Sequence, residues 1–122
     1  MAKVLVVDDS ETQRQTLRQD LESAGYQVVE ATNGRDGLEK LAVHKEIGLI
    51  ISDQNMPELD GISMCAKLKD LNSHPGIPIF ILTSEATPEL KAKSKKAGVT
   101  AWIIKPYVSE KIINAVRKVL KT

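Results

Sequence analysis

The chain has 122 residues but only one cysteine, Cys65, and two histidines, His44 and His74. A single cysteine excludes a disulfide framework and a cysteine-based zinc site. Two histidines far apart in the chain are too few for a metal cluster. No apolar stretch approaches the ~20 residues that a transmembrane helix needs. The apolar start, Met1 to Val7, runs straight into Asp8-Asp9. It lacks the length and the small-residue cleavage site of a signal peptide. The expected location is therefore the cytoplasm, with no membrane insertion. No glycine-rich phosphate loop follows any predicted strand, which counts against a nucleotide or flavin module.

What is present fits an ordered globular chain, with 42% hydrophobic and 27% charged residues. That balance counts against intrinsic disorder. At roughly 150 residues per domain, a single domain over 1–122 is expected. A chain of this size buries close to ~70% of its unfolded surface, enough for a core without cross-links. Net charge is only +1, but it is polarised. Residues 1–90 hold eight Lys/Arg against fifteen Asp/Glu, and residues 91–122 hold nine against Glu110 alone. An acidic part and a basic part imply two kinds of contact.

Five apolar, β-branched runs alternate with five helical patterns. The predicted strands are 3–7, 26–30, 47–52, 77–82 and 100–104. Ser10 with Gln13 forms a capping-box signal for the first helix, which Gly25 stops. Asn33 caps a second helix to about His44, with Leu38, Leu41 and Ala42 inward. A loop from Asp53 to Gly61 precedes a third helix over 62–71, where Cys65 is a small core filler. Thr87-Pro88-Glu89 opens a fourth helix that Gly98 ends. Ser109 is the expected cap of the last, which carries the stripe Ile112, Ile113, Val116, Val119 and Leu120. This alternation predicts an α/β fold, a doubly wound parallel sheet with helices on both faces. Right-handed crossovers bring every strand's C-terminal end to one rim, where ligands bind.

That rim collects Asp8-Asp9 after the first strand, Ser52-Asp53 and Asn55 after the third, Thr83-Ser84 after the fourth and Lys105-Pro106 after the fifth. Two carboxylates ~4 Å apart repel by about 4 kcal/mol at an effective dielectric of ~20. Lys105 alone does not balance three of them. A hard divalent cation does, and all-oxygen ligands favour magnesium. Singly, each residue reads as a cap, a strand-end hydroxyl or a surface turn. Together they read as a carboxylate nucleophile placed against a phosphoryl group, with Lys105, Thr83 and the metal facing the transferring oxygens.

The segments Val6-Val7-Asp8-Asp9-Ser10, Asp53-Gln54-Asn55-Met56-Pro57-Glu58-Leu59-Asp60-Gly61, Leu82-Thr83-Ser84-Glu85 and Lys105-Pro106-Tyr107 resemble the response-regulator receiver domains of bacterial two-component signalling. The resemblance runs from Lys3 to Leu120, in order and with family-like spacing. It implies a flavodoxin-like five-stranded sheet in the order 2-1-3-4-5. It implies that Asp53 accepts a phosphoryl group from a sensor histidine kinase. Asp9, Asp53 and the Asn55 main-chain carbonyl then ligate Mg2+, with Asp8 acting through water. Lys105 pairs with Asp53 and then with the phosphoryl oxygens, and Thr83 bonds the phosphoryl group. The residue three before the lysine, Trp102, is the switch aromatic, a departure from the usual Tyr or Phe. A cis bond before Pro106 is also implied. Moving such a switch from 1:99 to 99:1 takes about 5.5 kcal/mol of differential stabilisation.

Asn55 and Glu85, two residues beyond Asp53 and Thr83, are similar to the rate-tuning pair of stand-alone chemotaxis (CheY-like) regulators with rapid self-dephosphorylation. With nothing expected after residue 122, the output is binding, and the resemblance points to a flagellar motor switch protein. The alternative is a phosphorelay intermediate or a phosphate sink for a kinase. Lys91, Lys95, Lys111 and Lys118, with Trp102 between, form the expected partner face for an acidic surface. One tryptophan, no recognition motif and an acidic rim weigh against nucleic acid. A monomer is expected. A magnesium phosphatase would show Asp-x-Asp-x-Thr after its first strand, and here Asn55 stands for the second Asp. The chain is thus expected to catalyse only its own phosphorylation and dephosphorylation.

Overall fold

The computed structural model describes residues 3–85 and 87–121. Its elements alternate as β1 (Lys3–Val7), α1 (Glu11–Ser23), β2 (Gln27–Ala31), α2 (Gly34–Val43), β3 (Ile47–Asp53), α3 (Gly61–Leu71), β4 (Ile79–Thr83), α4 (Pro88–Ala97), β5 (Ala101–Ile104) and α5 (Ser109–Leu120). The strands form one parallel sheet in the order β2-β1-β3-β4-β5. The doubly wound, flavodoxin-like arrangement is thus present.

The period-two alternation of a strand divides the core into two halves. Val4, Val6, Leu49, Ile51, Phe80 and Leu82 pack with Leu17 and Leu21 of α1 and Ile112 and Val116 of α5. Leu5, Val7, Ile50, Ile79 and Ile81 pack with Leu41 of α2, Met64, Cys65 and Leu68 of α3 and Ala97 of α4. Full burial of each such side chain contributes about 1.5–3 kcal/mol. Burial also pushes the Cys65 thiol up to about 12, so this cysteine is a protonated core residue.

Helix ends follow local chemistry. The side chains of Ser10, Asn33, Asp60 and Thr87 each accept the backbone N–H three residues on. Gly98 adopts φ +90 at the end of α4, a conformation that an L side chain rarely takes.

Beyond shifts of one residue, such as β2 at Gln27–Ala31 rather than 26–30 and β5 at Ala101–Ile104 rather than 100–104, four expectations change. β4 begins at Ile79 rather than Ile77, because Pro78 has no N–H to give the ladder. Pro78 offers only its carbonyl, which accepts the Ile50 N–H at 3.1 Å, and the Thr100 N–H donates to the Ile79 carbonyl at 2.8 Å. Ser109 is the first residue of α5 rather than its cap. Val108 holds the cap position with no side-chain bond, and Ser109 Oγ donates to Asp20 Oδ2 on α1 at 2.6 Å. Ala42 is exposed, since it falls just off the buried stripe of α2. Finally, the capping box at α1 is only half made. Ser10 Oγ accepts from Gln13 N at 3.3 Å, but Ser10 N–H donates to Asp8 Oδ1 at 2.9 Å, and the Gln13 side chain turns elsewhere.

Candidate functional site

The parallel register sets Val7 beside Ser52, Asp53 beside Leu82 and Thr83 beside Ile104. Four strand ends therefore deliver their following residues to one rim. There, one oxygen from each of Asp8, Asp9 and Asp53 falls within 4.8 Å of the others. Asp8 is buried, Asp53 half-buried and Asp9 exposed, so the cluster is rooted in the sheet and opens to solvent. Burial raises the Asp8 carboxyl above its ordinary range, the Ser10 N–H opposes this, and the Asp53 and Asp9 charges add to the rise. The Lys105 ammonium donates to Asp53 Oδ1 at 3.1 Å, with a side chain only 22% exposed. The peptide between Lys105 and Pro106 is cis. The Lys105 N–H donates to the Thr83 carbonyl at 2.9 Å, which ties the ends of β4 and β5 together.

Residues 4–117 match the response regulator receiver domain family. The chain belongs to that family. It is 36% identical over 121 residues to the chemotaxis protein CheY1 of Helicobacter pylori, covering 98% of each chain. It is 34% identical over 119 residues to the sensor histidine kinase CheAY of Helicobacter pylori, spanning 97% of this chain and 15% of that protein. The structure of the chemotaxis protein CheY4 of Vibrio cholerae superposes with a TM-score of 0.91 at 38% identity, covering 98% of each chain.

Further residues of this receiver surround the cluster. Thr83 is buried, and its Oγ1 accepts the Glu85 N–H at 3.1 Å, leaving its own hydroxyl proton for another acceptor. Asn55 Nδ2 donates to Glu85 Oε1 at 3.4 Å, so the two residues singled out as rate-tuning touch across the rim. Trp102 lies beside Ile81 in the ladder and packs among the α4-side core. Its indole N–H donates to Ser94 Oγ of α4. Lys91, Lys95, Lys111 and Lys118 are all exposed on α4 and α5.

Arg14 and Gln54 carry no assigned role in the sequence, and Gln13 carries only that of a capping-box partner. Arg14 donates to the Asp8 carbonyl at 2.7 Å and to Glu30 Oε1 at 3.0 Å, clamping the end of β1 to β2. Buried Gln54 accepts the Ile62 N–H at 2.9 Å, and its carbonyl accepts the Gly61 N–H at 3.1 Å. These bonds anchor the loop after Asp53 to the start of α3. A Cβ on Gly61 would stand 2.5 Å from the Asp53 carbonyl, so only glycine lets α3 begin this close. Gln13 accepts from Lys105 Nζ at 2.9 Å. No spacing signal marks these contacts, because Arg14–Glu30 and Gln13–Lys105 bridge elements distant in sequence and the Gln54 bonds close a loop that has no periodicity.

The donor set fits a hard divalent cation. It is all oxygen, carries like charges at close range, and leaves Asp9 exposed for metal-bound water. Among the described residues, no helix is long and apolar enough to cross a membrane.

Proposed function

We propose that this receiver, acting as one unit over residues 1–122 in the cytoplasm, takes a phosphoryl group on Asp53 from a phosphohistidine of a sensor histidine kinase. It then signals in chemotaxis by binding another protein. The observation that carries this reading is the Lys105 ammonium bonded to Asp53 Oδ1 beside two further carboxylates.

In the transfer, an Asp53 oxygen attacks phosphorus while the P–N bond breaks. The bonding pair returns to the imidazole nitrogen, and the product is an aspartyl phosphate. Asp9, Asp53 and the Asn55 carbonyl would hold Mg2+, with Asp8 acting through water. That ion, when bound, neutralises charge on the phosphoryl oxygens. Lys105 gives its proton donors to a phosphoryl oxygen, and the Thr83 hydroxyl donates to another. A group of about −1.5 to −2 charge then replaces a single carboxylate charge. The strand ends that carry Thr83 and Lys105 respond, and Trp102 with them. Exposed Lys91, Lys95, Lys111 and Lys118 suit an acidic partner surface such as that of a flagellar motor switch protein. Asn55 and Glu85 set the lifetime of the signal.

Phosphotransfer from a labelled kinase, followed by pull-down on an acidic motor-switch peptide, tests this reading. Label on Asp53 and capture of the phosphorylated form alone are expected. Label that passes instead to a second histidine domain, without peptide capture, would replace signalling by a relay role. No label on Asp53 overturns the proposal.

A further inference from the structure

The Lys105 ammonium has three protons to donate, and the structure shows where two of them go. One meets Asp53 Oδ1 at 3.1 Å and the other meets Gln13 Oε1 at 2.9 Å. Gln13 is thus as close to the lysine as the carboxylate that the lysine serves.

The geometry of α1 explains why Gln13 is available. It lies three residues after the cap Ser10, and its own N–H is held by Ser10 Oγ. A glutamine there normally turns back to the backbone N–H of the cap. In this chain that N–H already donates to Asp8 Oδ1. The Gln13 carbonyl is therefore left to face across the rim, on a backbone fixed by the cap.

The chemistry explains why an amide suits the position. Lysine carries a compact charge on a flexible four-carbon stem and needs a second contact to hold one place. A carboxylate at position 13 would add a fourth negative charge beside Asp8, Asp9 and Asp53. The amide oxygen accepts the ammonium without that cost. It also stays unchanged when Asp53 is converted to an acyl phosphate, so one contact of the lysine survives the reaction.

We infer that Gln13 is a positioning residue for phosphoryl transfer, anchoring the Lys105 ammonium from α1 while the other contact passes from Asp53 to the phosphoryl oxygens. This inference rests on the reading of Asp53 as the acceptor.

Two measurements on the full chain test it, using Gln13→Met, which keeps length and helix preference and removes the acceptor. The first is the rate of phosphorylation by acetyl phosphate with Mg2+. Loss of one solvent-exposed hydrogen bond, at the ordinary net strength of such bonds, is expected to slow Gln13→Met about three- to tenfold. Mg2+ affinity by calorimetry and the urea midpoint should match the wild type. The same substitution added to Lys105→Ala should change the rate no further, because Gln13 acts through the lysine. A wild-type rate in Gln13→Met overturns the inference, and so does an undiminished effect in the Lys105→Ala background.

The second measurement needs no phosphorylation. In the resting protein, the 15N-resolved ammonium signal of Lys105 should be visible in wild type and attenuated by faster proton exchange in Gln13→Met. A signal identical in both proteins overturns the inference. A wild type that takes up no phosphoryl group sinks the reading of Asp53 instead, and the ammonium signal still decides the role of Gln13.

Discussion

The Trp102 indole N–H donates to the Ser94 hydroxyl, and that hydroxyl donates in turn to the Lys91 carbonyl at 2.8 Å. The proposed switch aromatic on β5 is thereby wired to the lysine-rich helix α4. Ser94 is buried, so the link is part of the packed interior between helix and sheet.

Trp102 is the sole tryptophan, so its fluorescence reports on this one contact. Adding beryllofluoride with Mg2+, a mimic of the phosphoryl group, is expected to change its emission. Ser94→Ala removes the hydroxyl acceptor and should shift the resting spectrum as well. Emission unaltered by the mimic would detach Trp102 from the output.

Gly61 sets the distance between α3 and β3. A methyl group there meets the Asp53 carbonyl at 2.5 Å and Ile81 Cδ1 at 3.1 Å. Gly61→Ala is expected to destabilise the fold by about 1–3 kcal/mol, the usual range for overpacking. Gly48→Ala is the control, since its added carbon meets only Leu120 Cδ2 at 3.5 Å, an ordinary contact. Removing a strand glycine there should leave stability unchanged or raise it by up to about 1 kcal/mol. Urea midpoints of the two variants make the comparison, and an equal loss in both would contradict the close-approach argument.

The architecture was readable from the chain because strand and helix signals agreed with each other. β-branched runs mark the five strands, cap residues or glycine stops mark α1, α2 and α4, and Asp8, Asp9, Asp53, Thr83 and Lys105 fall at the predicted strand ends, whereas the Asp60 cap of α3 carries no mark in the sequence reading. Apart from the strand start at Pro78 and the exposed Ala42, the differences lie where a polar group has two possible partners. Ser109 looks like a cap in sequence, yet Asp20 on a distant helix takes its hydroxyl. Gln13 completes a capping box on paper, yet Lys105 is the better-placed donor. Arg14 and Gln54 carry no periodic signal, so only the folded chain reveals what they hold.

Glu46 lies far from the rim, after α2. The Lys3 ammonium at 2.8 Å holds its carboxyl well below the usual range, at about 2, and His44 at 3.2 Å contributes less. The folded value lies below the unfolded one, so this group favours folding above the ordinary carboxylate pKa of about 4.3. That contribution is lost as pH falls from there towards 2. Glu46→Gln should flatten this acid limb by removing the contribution present at neutral pH, so that the variant and wild-type curves converge as pH falls towards 2. A carboxyl titration by NMR that places Glu46 at an ordinary value would contradict the pairing.

The most direct test is intact-mass spectrometry after incubation with acetyl phosphate and Mg2+. The account predicts a gain of about 80 Da in the wild type, mapped to Asp53, together with no gain in Asp53→Asn and a strongly reduced gain in Lys105→Ala. An Asp53→Asn variant that gains the same mass at the same rate, or a wild type that gains none, would contradict it.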